Sequence, residues 1–240
     1  MNDALISLFT LTILEIVLGI DNIIFVTILA GKTSPEKQGR ARSIGLLMGM
    51  FVRIILLFGI NWIQRQDYTL FSFAGHDFSG MALLLIAGGL FLLFQSVREI
   101  HLKMRGETPE VQEKGTKYNW TTLMLQMLLI NVVFSLDSVI TAVGMAKELW
   151  VMIAAVVISM IVMLIASKPI AEFVNANPSI KILALSFLVL IGVSLLGEAF
   201  GQHINKGYIY FAMAFSFSLE IINLQIDRRS ARKNTTTLDS

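Results

Sequence analysis

Two apolar stretches of the sequence each contain an acidic motif that could bind an ion, residues 15–22 (EIVLGIDN) and residues 131–138 (NVVFSLDS). An aspartate at the centre of a transmembrane helix costs roughly 2.5 to 3.5 kcal/mol on insertion. Residues that carry this cost usually face the interior of a helix bundle and handle ions, protons or polar substrates. Both motifs are therefore candidates for a polar site inside a membrane.

The two motifs also align with each other, which predicts an internal repeat. Their equivalent positions are Glu15 and Asn131, Gly19 and Ser135, Asp21 and Asp137, and Asn22 and Ser138. In each copy the first, fifth and eighth residues share one face of a helix, so each helix has a polar edge. A weaker similarity relates residues 89–95 to residues 192–198 and extends the repeat to a third helix in each copy.

A third stripe of oxygen-bearing side chains lies near the C-terminus, where Ser216, Glu220 and Asn223 are spaced i, i+4, i+7. Carboxylate, amide and hydroxyl oxygens are hard ligands, which favour Mg²⁺, Ca²⁺ or Mn²⁺ over copper or zinc. The sequence has no cysteine, and none of its three histidines lies in the middle of an apolar block, so a soft-metal site is not expected. We expect Ser135, Ser216 and Asn223 to form a secondary polar lining.

Arg53 lies close to the middle of the second apolar block, too deep for its side chain to reach the membrane surface easily. We interpret it as an internal counter-ion or gating residue for Glu15, Asp21 or Glu220. The alternative is an arginine that faces a water-filled vestibule and takes no part in transport. The acidic residues have an alternative too, as polar groups that join helices, although Ser, Thr and Asn are commoner in that role.

The composition is typical of membrane proteins. Hydrophobic residues make up 55% of the chain and charged residues 15%, with a mean hydropathy of +0.71, whereas a soluble domain would carry more charge. Seven apolar blocks approach the ~20-residue length of a membrane-spanning helix. They lie at about 4–30, 41–63, 79–98, 120–146, 149–167, 181–201 and 207–226. We predict an all-α polytopic membrane protein, in which Gln95 and Glu198, near the ends of their blocks, are interfacial.

The distribution of Lys and Arg predicts the orientation of these helices. Most of the nineteen basic residues fall in the connections at 31–43, 98–119 and 168–181 and in the C-terminal tail. By the positive-inside rule these segments face the cytoplasm and the N-terminus faces outside. Because each repeat has three helices, the two copies cross the membrane in opposite senses. Inverted repeats with a site near the midplane are a recurring plan of secondary transporters.

At these motifs the chain resembles the TerC integral membrane proteins, within the wider LysE-type transporter superfamily. The resemblance rests on residues 15–22, 131–139 (NVVFSLDSV) and 215–223 (FSFSLEIIN) and covers almost the whole chain. The family is named for tellurium resistance, and membership implies about seven helices and export of divalent metal, chiefly Mn²⁺, from the bacterial cytoplasm. Carried over to this sequence, the implied metal ligands are Glu15, Asp21, Asn22, Asn131, Asp137, Ser138 and Glu220.

The expected protein is thus a transporter of the inner membrane and not an enzyme, with the lipid bilayer as its surroundings. Its expected parts are residues 1–98 (first repeat), 99–119 (cytoplasmic loop), 120–203 (second, inverted repeat), 204–227 (seventh helix) and 228–240 (disordered cytoplasmic tail). Mn²⁺ or another divalent cation is the transported substrate, with protons as the expected counter-substrate, no permanently bound cofactor and no nucleic-acid partner.

Two alternative functions stay open. One is export of another solute, such as Ca²⁺ or a small amino acid. The other is a membrane assembly factor that helps secreted proteins to acquire metal or to insert, without transport of its own. A homo-oligomer and a partner in the secretion machinery are open as well.

Overall fold

The structure, a computed structural model, describes residues 2–64, 69–73, 76–105, 119–145, 148–202 and 206–236. It confirms the all-α architecture with seven long helices. They are α1 (Asn2–Ala30), α2 (Pro35–Gln64), α3 (Gly80–Met104), α4 (Trp120–Met145), α5 (Leu149–Ala176), α6 (Pro178–Ala199) and α7 (Lys206–Thr236). A short antiparallel hairpin of β1 (Thr69–Phe73) and β2 (His76–Ser79), which the sequence pattern did not predict, precedes α3.

The surface of the helices identifies a multi-pass membrane protein. All the helices except α4 are long and apolar enough to cross a bilayer, and in α4 the apolar stretch of described residues, Trp120–Leu136, is shorter. Large apolar side chains such as Phe9, Phe58, Ile165 and Phe211 are more than half exposed. In water such a surface would be an aggregation hazard, whereas in a bilayer it faces lipid.

Three helix ends differ from the predicted blocks. α5 continues into the expected connection at 168–181 and ends at Ala176. Only Asn177 separates it from α6, which has Pro178 in its first turn. α3 continues past residue 98 to Met104. α7 continues through residues 228–236, which we expected to be a disordered tail. Hydropathy marks where a helix leaves the lipid, whereas its backbone hydrogen bonds can continue into water.

Helices from the two predicted repeats pack mainly against each other. The largest interfaces are α3 with α6, α1 with α5 and α2 with α4. A two-fold exchange of the repeats would turn α1–α5 into α4–α2 and would map α3–α6 onto itself. Any two-fold exchange of the repeats gives these pairs of interfaces, so the inversion itself stays a prediction.

The crossing of α3 and α6 depends on two glycines. A Cβ atom on Gly89 would lie 2.8 Å from the carbonyl oxygen of Gly192, and a Cβ atom on Gly192 would lie 3.1 Å from that of Gly89. The flanking contacts are reciprocal too, since Leu196 packs on Gly89 and Leu93 packs on Gly192. Glycine is therefore needed at position 89 for the backbones to approach so closely. At position 192 a Cβ atom would require the facing backbone to shift by a few tenths of an ångström.

Candidate functional site

The centre of the bundle contains a buried ion pair between α1 and α2. Arg53 Nη1 donates to Glu15 Oε2 at 2.6 Å, and the two side chains are 2% and 3% exposed. Of the three carboxylates considered as partners of Arg53, the structure therefore pairs it with Glu15. The Nε atom of Arg53 is buried and has no hydrogen-bond partner among the described residues, so this guanidinium keeps one donor unused.

Asn131, which aligns with Glu15, also bonds to α2. Its Nδ2 donates to the carbonyl oxygen of Gly45 at 2.9 Å. A Cβ atom on Gly49 would lie 2.6 Å from Asn131 Oδ1, so this glycine makes room for the amide. The two equivalent positions of the motifs thus both hold α2, Glu15 through a charge and Asn131 through a neutral hydrogen bond.

A cavity lies beside the ion pair, and Asp21 on α1 is part of its wall. We call it the Asp21 cavity; its lining residues are Leu18, Asp21, Arg53, Val133, Phe134, Ser138, Ile191, Ser194, Leu195, Glu198, Ile209 and Tyr210. The lining on α6 runs from Ile191 to Glu198, roughly 10 Å of helix axis at 1.5 Å per residue, and reaches the last turn of α6. The cavity therefore extends from the middle of the bundle to the helix ends.

The opposite side of Asp21 is apolar. There the carboxylate borders a smaller pocket whose other lining residues all have hydrocarbon side chains, among them Ile24, Phe25, Phe187 and Leu188. Asp21 thus lies at a boundary, with polar side chains toward one end of the bundle and apolar packing on its other side.

The structure does not bring all of the predicted ligands to this cavity. Asn22 and Ser135 are buried, and Asn22 Oδ1 has no hydrogen-bond partner within the described ranges. On α7, Glu220 and Ser216 are half-buried and Asn223 is exposed, and the described lining includes none of the three.

Asp137 belongs to α4, and its side chain lies outside the described residues. Among the described residues no group of three His, Asp or Glu side chains that could hold a metal ion is present. The structure therefore shows one carboxylate of the first motif in a cavity, not a complete ligand set.

Three polar residues of the Asp21 cavity were not predicted. Ser194 and Glu198 lie one turn apart on α6, and Tyr210 lies on α7. We interpreted Glu198 as interfacial because it is close to the end of its block, whereas the structure places it in the wall of the cavity. The i, i+4 spacing of a hydroxyl and a carboxylate on one face was the signal in the sequence.

Comparison with known proteins gives whole-length similarities. A model of the integral membrane protein TerC family matches residues 1–235. A UPF0053 protein of Haemophilus influenzae is 47% identical over 226 residues, which are 94% of this chain and 95% of that protein. The UPF0053 inner membrane protein YgdQ of Escherichia coli is 45% identical over 225 residues, which are 92% of this chain and 93% of that protein.

Other relatives are longer than this chain. The UPF0053 inner membrane protein YoaE of Escherichia coli is 46% identical over 233 residues, which are 97% of this chain but 45% of that protein. No solved structure matches the chain.

Proposed function

This chain belongs to the TerC family of integral membrane proteins, and on that premise we propose that it exports divalent metal cations, Mn²⁺ first among them, from the cytoplasm. The predicted orientation, with the N-terminus outside, would put the mouth of the Asp21 cavity at the outer face. The ion would then pass from Asp21 along α6 to the outside.

The observation that carries this proposal is the chemistry of the Asp21 cavity. Its polar oxygens come from two carboxylates, Asp21 and Glu198, and from the hydroxyls of Ser138, Ser194 and Tyr210. Oxygen donors of this kind suit Mn²⁺, Mg²⁺ and Ca²⁺. The carboxylate of Asp21 makes a cation a better fit to this cavity than an anion.

The ion pair of Arg53 and Glu15 supports the same assignment. Arg53 lines the cavity, and an uncompensated guanidinium there would repel a cation. Its bond to Glu15 at 2.6 Å neutralises it, so that the charge of Asp21 stays available to the substrate. Glu15 would then act on the metal through Arg53 and not as a direct ligand in this conformation.

Export needs an energy source, and we propose exchange for protons. Moving a divalent ion outward against an inside-negative potential of ~100 mV costs roughly 4.6 kcal/mol, at ~2.3 kcal/mol per charge. Two protons that enter for each ion that leaves would cancel this electrical cost. In the proposed cycle protons replace the divalent ion at the Asp21 cavity, while the bond between Arg53 and Glu15 is kept.

Flux measurements in proteoliposomes test the proposal. Purified protein should move Mn²⁺ in preference to Ca²⁺, Mg²⁺ and Zn²⁺, and an imposed pH gradient should drive the flux. Asp21→Asn should abolish it, because the cavity loses a charged ligand at its inner end. Glu172→Gln is the matched control, since that carboxylate is exposed on α5 and should leave flux unchanged. Wild-type flux in Asp21→Asn would contradict the assignment of the site.

A further inference from the structure

A second buried ion pair lies between the ends of α1 and α3. The ammonium group of Lys32, just beyond α1, donates to Glu99 Oε1, and Gln95 Nε2 donates to the same oxygen at 3.0 Å. The side chains of Lys32 and Glu99 are only 6% and 8% exposed. A buried charge without its partner is costly, so the pair favours the packed arrangement. The pair also joins the end of α1 to α3, and its separation would allow these two helices to move apart.

The buried face of α3 becomes polar where this pair forms. Leu92, Gln95, Ser96 and Glu99 occupy positions i, i+3, i+4 and i+7 and are all buried. The hydroxyl of Ser96 is fully buried and has no hydrogen-bond partner within the described part of the chain. A buried polar group without a hydrogen-bond partner is energetically unfavourable, and water that enters can supply the missing hydrogen bond. This face therefore has the chemistry of a water-filled path but is closed.

The equivalent face of α6 lines the Asp21 cavity. The alignment of Gly89 with Gly192 also places Gly88 on Ile191, Leu92 on Leu195 and Gln95 on Glu198. The three α6 residues line the Asp21 cavity; Ile191 and Glu198 are partly exposed there, and Leu195 is buried. The three α3 residues are all buried. Equivalent faces of the two repeats thus differ in access, one open to a cavity and the other packed.

The packing of α3 accounts for this difference. A Cβ atom on Gly88 would lie 3.0 Å from the methyl carbons of Val133, so α3 fits tightly against α4 there. In the repeat alignment the positions of Lys32 and Glu99 correspond to Glu148 and Gln202, both exposed. A carboxylate and an amide cannot form an ion pair. These two described positions at the open end therefore do not repeat the ion pair of Lys32 and Glu99.

We propose that Lys32, Gln95 and Glu99 form a gate that closes the second half of the ion path, while the Asp21 cavity is the half that is open. We call these three residues the Lys32 gate. The proposal rests on the proposed transport function and deepens it. When Lys32 and Glu99 separate, α3 moves off α1 and α4, and Gln95 comes to line a cavity as Glu198 does at the open end. Movement of α3 together with α6, its main packing partner, against α1, α2, α4 and α5 then exposes the site to either face in turn.

Cysteine accessibility tests the gate directly, because the chain has no cysteine of its own. Ser96→Cys in the full-length protein should be protected from a membrane-impermeant maleimide. The reagent is added on the side of the membrane where α3 has its C-terminus, which is the predicted cytoplasmic side. Addition of Lys32→Met should raise its labelling rate from that face by about tenfold or more, since one member of a buried ion pair is lost. The double change Lys32→Met with Glu99→Gln leaves no buried charge and should fold, yet it should also expose Cys at position 96.

Matched controls separate gating from general loosening. Lys168→Met removes the same charge from an exposed ion pair with Glu172, 78% and 67% exposed, and should leave Ser96→Cys protected. Ser159→Cys, fully buried on α5, should stay protected in every background. Lys32→Arg, which keeps the charge, should restore protection at position 96.

Two results would overturn the gate. Continued protection of Ser96→Cys in both opened variants would show that the pair only joins helices. Equal labelling in Lys32→Met and Lys168→Met would show that any lost charge loosens the bundle. Labelling requires no metal and no flux, so a wild-type protein that fails to move Mn²⁺ would count against the proposed function and not against the gate.

Discussion

Replacement of Arg53 by methionine probes the balance of charge at the centre of the bundle. Arg53 and Glu15 are 2% and 3% exposed and lie 2.6 Å apart. Removal of one member of a buried pair leaves the other charge uncompensated, at a cost of about 3–5 kcal/mol. We therefore expect Arg53→Met to destabilise the protein by about this amount, on the order of 10 °C in Tm for a chain of this size.

The size of the effect has an internal reference in the same chain. Lys168 and Glu172 form an exposed i, i+4 pair at 4.0 Å, and exposed pairs contribute about 0–1 kcal/mol. Lys168→Met makes the same loss of charge without a buried partner, so its Tm should change little. Thermal unfolding of the detergent-solubilised variants, followed by fluorescence-detected size-exclusion chromatography, measures both.

The double variant Arg53→Met with Glu15→Gln decides whether the two groups compensate each other. The double variant has neither buried charge, so it loses the attraction between them but also the cost of removing them from water. Most of the stability lost in Arg53→Met should therefore return. An additive loss in the double variant, or equal losses for Arg53→Met and Lys168→Met, would refute the reasoning. Glu15→Gln alone should also reduce Mn²⁺ flux, because it leaves the guanidinium of Arg53 unbalanced in the wall of the Asp21 cavity.

Two further predictions concern the topology and the α3–α6 crossing. Reporter fusions should place residues 105–115 and the C-terminal tail inside and residues 66–78 outside; a tail on the same side as residues 66–78 would contradict the inverted repeat. Gly89→Val should cost about 1–3 kcal/mol by overpacking, because its Cβ would meet the Gly192 carbonyl oxygen at 2.8 Å. At Gly59 an added Cβ atom would meet no described atom within 4 Å outside the adjacent helix backbone. Gly59→Val should therefore destabilise the protein less than Gly89→Val in the same unfolding assay.

The helices could be predicted from the sequence because each apolar block must satisfy its own backbone hydrogen bonds in lipid. The same reasoning fails beyond the membrane. Residues 168–176 look like a connection by charge, but they continue α5, since polar side chains such as Lys168 and Glu172 do not interrupt a helix in water. The hairpin at 69–79 was missed for a related reason, because hydropathy describes spans and not the loops between them.

The candidate site could be predicted only in part. Asp21 and Ser138, one from each motif, line the same cavity, and their role as metal ligands stays a prediction. The choice of Glu15 as the partner of Arg53 depends on how α1 and α2 are rotated about their axes, which no local pattern specifies. Lys32 and Glu99 are 67 positions apart, and their pairing likewise follows from packing.

The two buried ion pairs together limit what the Asp21 cavity can bind. Arg53 is paired with Glu15, and Lys32 with Glu99, so neither of these buried cations is left to neutralise Asp21, which forms no ion pair with any described residue. A carboxylate in a partly apolar cavity is stabilised either by a cation or by a proton. The site therefore needs a positive charge from outside the protein, supplied either by the metal ion or by protons that replace it. If the metal ion and the proton bind at the same residue, binding of one displaces the other. Exchange of metal for protons would then follow from the arrangement of charges and would need no separate proton path.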